Sequence, residues 1–394
     1  MRIFLHDYGG YPFIAHLTRR LAQMGHAVAY VCPKNSMFLC ADRPLCSEPA
    51  LSIRPIRCVV DKGLSVRRMF NEAAFGRRVA DELRTFNPDI VVSANTPLET
   101  QRVIERCCLA RTIPFVYWLQ DLHGPAIRSV LQGKLGMLGS WLSAYFRRME
   151  ISMLRKSDAV IAISDEFASF LVAHGVSKHR IHLLRNWAPL EETPRLEKNN
   201  WWAKRHGFST KKVLMYTGTL GYKHDIQMFL DFARSFESET NIVIAVISWG
   251  KKAEELVSAA RTKRLNNLVV LPRQAYENLP SVLASADVLL SALTSQASAY
   301  SVPSKVLTYL CAGRALLLVM PESNPAARIV RESNSGIVVA PESQEFVPAA
   351  RHLLHNDGEA KVHGDNARSY AETAFNIRSI ADRFECILRN CLAR

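Results

Sequence analysis

Short runs of apolar, β-branched and aromatic residues alternate along the chain with longer stretches whose apolar residues recur at helical spacing. RIFLHDY (2–8) is followed by a turn at Gly9-Gly10, a helical pattern from Pro12 to Met24 and a second apolar run, GHAVAYVC (25–32). PDIVVSA (88–94), IPFVYWLQ (113–120), DAVIAIS (158–164) and RIHLLRN (180–186) continue the series. Strands that are apolar throughout, rather than alternately, belong to parallel sheets covered by helices on both faces. NWAPLEETPRLEKNN (186–200) has no periodicity and is rich in Pro, Glu and Asn, which predicts a linker over 191–200. The alternation then restarts with KVLMYTG (212–218), a turn at 219–221 and a helix from Asp225 to Phe236. It runs on through NIVIAVIS, NLVVLP, DVLLSAL, ALLLVMP and GIVVAP. The expected fold is α/β: two doubly wound Rossmann-like domains facing across a cleft, an N-terminal one over 1–190 and a C-terminal one over 201–376. A basic helical segment, 377–394, packs back on the first.

Composition narrows the chemistry. The chain has 394 residues, 48% hydrophobic and 22% charged, which is globular. Its net charge of +14 asks for a polyanionic partner, and the excess leans toward the first half. The nine cysteines include no C-x-x-C pair, so neither a disulfide framework nor a common zinc pattern is indicated. The chain is expected to open directly with a strand at Arg2, without a charged-then-apolar leader, and no apolar run approaches the length of about 18 residues that would span a bilayer. The expected location is a reducing cytoplasm.

In open parallel sheets ligands bind beyond the carboxyl ends of the strands. Three strand-to-helix loops qualify: Gly9-Gly10, Gly218 to His224, and Val302 to Lys305. The last is AYSVPSKVLTYLCAG (299–313), in which Pro303 suits a first helical turn and Gly313 a left-handed C-cap. A helix from Lys305 to Ala312 would aim backbone N–H groups, the Ser304 hydroxyl and the Lys305 ammonium at an anion, as a diphosphate site requires. No G-x-G-x-x-G follows the first strand and no G-K-[ST] occurs, which argues against a dehydrogenase and an NTPase.

SANTPL (93–98), WLQDLHGP (118–125), AVIAISDEF (159–167), RNWAP (185–189), YTGTLGYKHD (216–225), LPRQAYENLP (271–280) and VPSKVLTYLCAG (302–313) together resemble GT-B glycosyltransferases of family 4. Within that family they are similar to the bacterial branch that builds O-antigen, colanic acid and related exopolysaccharides. The resemblance implies a retaining transfer from a nucleotide-diphosphate sugar, usually a UDP-sugar, without a metal or other cofactor. By the same carry-over, Gly10, Gly218, Lys223, Val302, Ser304 and Lys305 belong to the donor site. The two family glutamates fall on Tyr300 and Thr308, and the arginine that often follows the loop glycine falls on Thr219. These replacements bear on which sugar is taken.

Asp121 and His123 follow the strand IPFVYWLQ and so stand at its carboxyl end. His123 is a candidate for the donor sugar or the transition state, and Asp121 for the acceptor's proton. The alternative is that Asp121 caps the next helix. Glu99 is an acceptor-side candidate. The stretch 126–156 mixes aromatic and aliphatic residues with Lys and Arg, among them Trp141, Arg147 and Arg148, and Arg67 and Arg68 lie in a second basic cluster. Such a stretch suits an anionic membrane surface, the inner face of the cell membrane, and a polyprenyl-diphosphate-linked or oligosaccharide acceptor. It also suits a buried helix pair with a basic edge. Two other functions remain open at this level: a sugar-nucleotide epimerase of the same architecture, and a non-catalytic nucleic-acid binder, for which charge alone speaks.

Overall fold

A computed structural model describes residues 1–34, 48–58, 66–220, 225–294 and 303–393; at 66, 123–138 and 343 it describes the backbone alone. The chain forms two compact units, Met1–Asn186 with Ile377–Arg394, and Trp187–Asn376.

The first unit is built on seven parallel strands: β1 (Arg2–Asp7), β2 (Ala27–Pro33), β3 (Leu51–Ile56), β4 (Ile90–Ala94), β5 (Phe115–Leu119), β6 (Ala159–Ala162) and β7 (Ile181–Leu183). Their order is β3-β2-β1-β4-β5-β6-β7. The chain steps outward from β1 to β3 and then returns to β1's other side, so the strand order reverses between β1 and β4, where Asp7 lies opposite Ala94. Of the apolar runs read as strands, the central ones are almost wholly buried, and RIHLLRN supplies the half-buried edge strand β7. β3 escapes a search for apolar runs because it is an edge strand: Arg54 and Pro55 are tolerated where one side of the ladder is open.

The C-terminal helix Ile377–Leu392 packs on this unit through Ile380, Phe384, Ile387 and Leu388, one stripe at helical spacing. The Phe384 ring lies 5.3 Å from that of Trp118 on β5, and Glu385 meets His26 Nε2 at 3.1 Å.

The second unit carries six parallel strands: β8 (Lys212–Thr217), β9 (Ile242–Ile247), β10 (Leu268–Leu271), β11 (Val288–Ala292), β12 (Ala315–Val319) and β13 (Gly336–Val339). Their order is β10-β9-β8-β11-β12-β13, with the reversal between β8 and β11. One face is sealed by Phe229, Phe232, Phe236 and Phe346 from helices laid over the strands.

The stretch 191–200, expected to be a linker, is instead bonded along its length to this unit. Lys198 Nζ donates to Lys211 O at 2.6 Å and pairs with Asp287, and Arg314 donates to Leu196 O at 2.8 Å. Asn200 caps the helix Trp201–His206 through Trp202 N and Ala203 N. Polar composition thus marks a surface segment here, not a slack one, because its backbone carbonyls find buried basic partners.

Candidate functional site

In the second unit, Gly218 and Lys305 meet at the carboxyl end of β8. Lys305 opens the helix Lys305–Ala312, whose bounds and left-handed cap at Gly313 are those the sequence predicts. Its Nζ stands 3.6 Å from the centre of the Tyr216 ring, a cation–π contact. The residue as a whole is half-buried, yet Nζ is sealed from solvent and has no hydrogen-bond partner among the described residues. Burial lowers its pKa from 10.5 to about 7.

Gly218 makes this approach possible. Its φ of +126° is open only to glycine, and a Cβ there would stand 2.9 Å from Lys305 Nζ. The loop is pinned from below: Gly218 N donates to Ile247 O at 3.0 Å, Leu220 N to Ser248 Oγ at 3.1 Å, and Tyr216 Oη to Thr219 O at 3.1 Å. Tyr309, one helical turn past Lys305, accepts from Thr217 N at 2.9 Å and so ties the helix to the end of β8. Nothing local in the sequence marks Tyr216 or Tyr309 for these tasks.

The helix start differs in detail from expectation. Val306 N and Leu307 N are already bonded to Pro303 O and Ser304 O at 3.1 Å, closing a tight first turn. Ser304 is exposed and its hydroxyl caps nothing. The Val306 and Leu307 amides are therefore not free to meet an anion. Thr308 is half-buried on the same helix and Thr219 is exposed in the loop. Lys223, Tyr300 and Val302 lie outside the described residues.

In the first unit, Asp121 is exposed just beyond β5. The helix that follows, His123–Lys156, has Leu122 as its N-cap residue. Beside Asp121, Gln120 and Asn186 exchange amide hydrogen bonds of 3.1 and 2.6 Å. His123 opens the helix, and its side chain lies outside the described residues. The loop after β1 comes near Asp121: the Tyr11 phenol is pushed up to about 12, by burial first and then by the Asp7 and Asp121 carboxylates. Asp7, which sequence reasoning did not single out, is wholly buried.

Glu99 sits half-buried in the first turn of the helix Leu98–Ala110; burial raises its pKa, against the pull of Arg102. Arg68 is bound to Glu72 at 2.6 Å, while Arg67 is exposed. On the long helix Trp141 is 76% exposed and Tyr145 and Arg148 share its face, whereas Arg147 NH2 turns to His174 Nε2 at 3.0 Å.

The chain thus combines two doubly wound parallel-sheet units, the second with Lys305 Nζ buried at a strand-to-helix loop. Residues 9–192 match Glycosyltransferase Family 4 and residues 198–370 match Glycosyl transferases group 1. The chain belongs to the GT-B glycosyltransferases of family 4 and is a glycosyltransferase. A protein of Escherichia coli (strain K12), named as a glycosyl transferase of colanic acid biosynthesis, WcaI, is 23% identical over 312 residues, 76% of this chain and 74% of that one. Sucrose-phosphate synthase from Thermosynechococcus elongatus shares the fold with a TM-score of 0.77 at 13% identity, over 100% of this chain and 99% of that one. Anabaena HepE in complex with UDP-glucose does so with a TM-score of 0.73 at 13% identity, over 99% of this chain and 100% of that one.

Proposed function

We propose that this glycosyltransferase moves a sugar from a UDP-sugar, with retention and without a metal ion, to a lipid-linked or oligosaccharide acceptor in the synthesis of a bacterial surface polysaccharide. The observation that carries the donor assignment is Lys305 Nζ, buried beside Gly218 without an anionic partner among the described residues. An unpaired ammonium in a dry site is costly, and a diphosphate would complete it. HepE binds UDP-glucose, which supports a nucleotide-sugar donor for this fold.

In the reaction the bond between the sugar's C1 and the diphosphate oxygen breaks as the acceptor hydroxyl oxygen bonds to C1. The electron pair leaves with the diphosphate, whose growing charge Lys305 stabilises, joined by Ser304 and Lys223. Retention is served by a short-lived ion pair attacked on the face the diphosphate leaves. The acceptor's proton passes to Asp121 or to the departing diphosphate, with His123 at the sugar. Gly10, Thr219, Tyr300, Val302 and Thr308 line the donor, and Glu99 the acceptor.

Trp141, Tyr145 and Arg148 on one helix face support contact with an anionic membrane at the inner face of the cell membrane, with Arg67 and Arg68 as further charge. Among the described residues no helix is long and apolar enough to cross a membrane.

The test is calorimetry with a panel of sugar nucleotides in the presence of EDTA, comparing the native chain with Lys305→Ala. One UDP-sugar should bind the native chain and lose at least about tenfold in affinity in the variant, the loss expected for a charged hydrogen bond. Equal binding by both proteins would refute the donor site. For the membrane surface, the native chain should float with phosphatidylserine vesicles and Trp141→Ala/Arg148→Ala should not.

A further inference from the structure

The loop after β1 is ordered by one buried carboxylate. Asp7 Oδ1 accepts from Gly9 N at 2.9 Å, and Oδ2 accepts from Tyr11 N at 2.7 Å and from Tyr30 Oη at 3.2 Å. The Asn95 side chain, on a residue held at φ 50° just past β4, also bonds to it. Tyr8 N is committed to Ala94 O at 3.3 Å. Of the four amides from Tyr8 to Tyr11, that leaves Gly10 N–H, which has no acceptor among the described residues although Gly10 is buried. Gly10 has φ 61°, which turns its peptide out of line with its neighbours at a position where a side chain is strained. A buried, unbonded N–H is rare in a folded protein and calls for an acceptor, which a ligand oxygen can supply.

We propose that Asp7 is a positioning residue: by holding Gly9 N–H and Tyr11 N–H it keeps the loop in the one conformation that leaves Gly10 N–H to bind an oxygen of the UDP-sugar. This rests on the donor reading above. A carboxylate is needed because both oxygens receive amide donors. An asparagine would set its own NH2 against one of them, and the loop would turn away to avoid donor facing donor. The groups around Asp7 are the Tyr30 phenol from β2, the Tyr11 phenol at the start of the next helix, the Asn95 amide after β4 and, beyond Tyr11, the Asp121 carboxylate. No cation compensates it among these. Burial raises the Asp7 pKa to about 6 against the pull of its hydrogen bonds. A raised acid stabilises the fold when protonated, and that contribution is lost as pH rises through about 6. The ionised carboxylate thus costs stability at neutral pH while ordering the loop.

The experiment compares native protein, Asp7→Asn and Tyr30→Phe. Hydrogen exchange of the peptide 7–14 reads the loop, melting at pH 5.5 and 7.5 reads stability, and calorimetry with UDP and with the UDP-sugar that the native chain takes reads binding. Asp7→Asn should exchange the loop amides at least about tenfold faster and bind at least about tenfold more weakly, the loss expected for charged hydrogen bonds. Its melting temperature should also rise more, or fall less, from pH 5.5 to 7.5 than that of the native protein. Tyr30→Phe, which removes a partner of Asp7 outside the loop, should lower the melting temperature and keep both loop protection and binding. Unchanged loop exchange in Asp7→Asn, or a binding loss that tracks melting temperature across both variants, overturns the proposal. Failure of the native chain to bind UDP or any UDP-sugar removes the donor reading instead, and the exchange comparison still decides whether Asp7 holds the loop.

Discussion

Lys305 behaves differently from the solvated basic side chains, mostly arginines, behind the net charge of +14. Its Nζ has exchanged water for the face of Tyr216, and that contact replaces only part of the lost hydration. The consequence for pH follows from linkage. Burial takes the pKa from 10.5 to about 7, so between those values the unfolded chain holds a proton that the folded chain has released. Stability from this group is present above the unfolded value, is lost as pH falls toward 7, and amounts to a few kcal/mol at most. Lys305→Met should therefore melt higher than the native protein at pH 7 and show a smaller rise in melting temperature from pH 7 to 9. Equal slopes in scanning calorimetry would mean that Nζ keeps its water. The sequence identifies Lys305 as a candidate because Pro-Ser-Lys at a helix start is a local pattern. That its amine is dry and unpartnered is not local, since Tyr216 and Gly218 reach it from a strand far earlier in the chain.

At the scale of elements, the donor-side loop depends on a strand end and a helix start meeting without a side chain between them. Gly218→Ala would force an L-residue to φ +126° and place a methyl 2.9 Å from Lys305 Nζ. The first effect costs about 1–3 kcal/mol of stability. The second is relieved by the flexible lysine swinging away, so donor affinity should fall by more than the stability loss explains. Melting and sugar-nucleotide calorimetry on the same preparation separate the two, and unchanged binding would show that Nζ need not lie over the glycine. Helix Lys305–Ala312 was legible to the residue because proline, glycine and apolar spacing are written in it. Edge strand β3 was not, because its edge position tolerates the Arg54 and Pro55 that interrupt its apolar pattern. The segment 191–200 misled for a related reason: its polar residues are answered by Asp287 and Arg314, which sequence spacing does not pair with it.

For the whole molecule, the C-terminal helix is part of the first unit although the second unit separates them in sequence. Its stripe of Ile380, Phe384, Ile387 and Leu388 contributes about 1.5–3 kcal/mol for each buried side chain, which together rivals the net stability of a domain, about 5–15 kcal/mol. Ending the chain after Asn376 should unfold the first unit, exposing Trp118, while the second resists limited proteolysis. Survival of a protease-resistant first unit would show that the helix only covers it.

The sequence by itself determined the succession of strands and helices apart from β3, the doubly wound class and the family, because apolar periodicity, turn residues and short motifs are carried by neighbours in the chain. Tertiary structure alone decided which polar groups lost their water and what replaced it: the Tyr216 ring for Lys305, and the Gly9, Tyr11 and Tyr30 donors for Asp7. Burial and hydrogen-bond completion are properties of what packs around a side chain, and distant segments supply that surrounding only once the chain has folded.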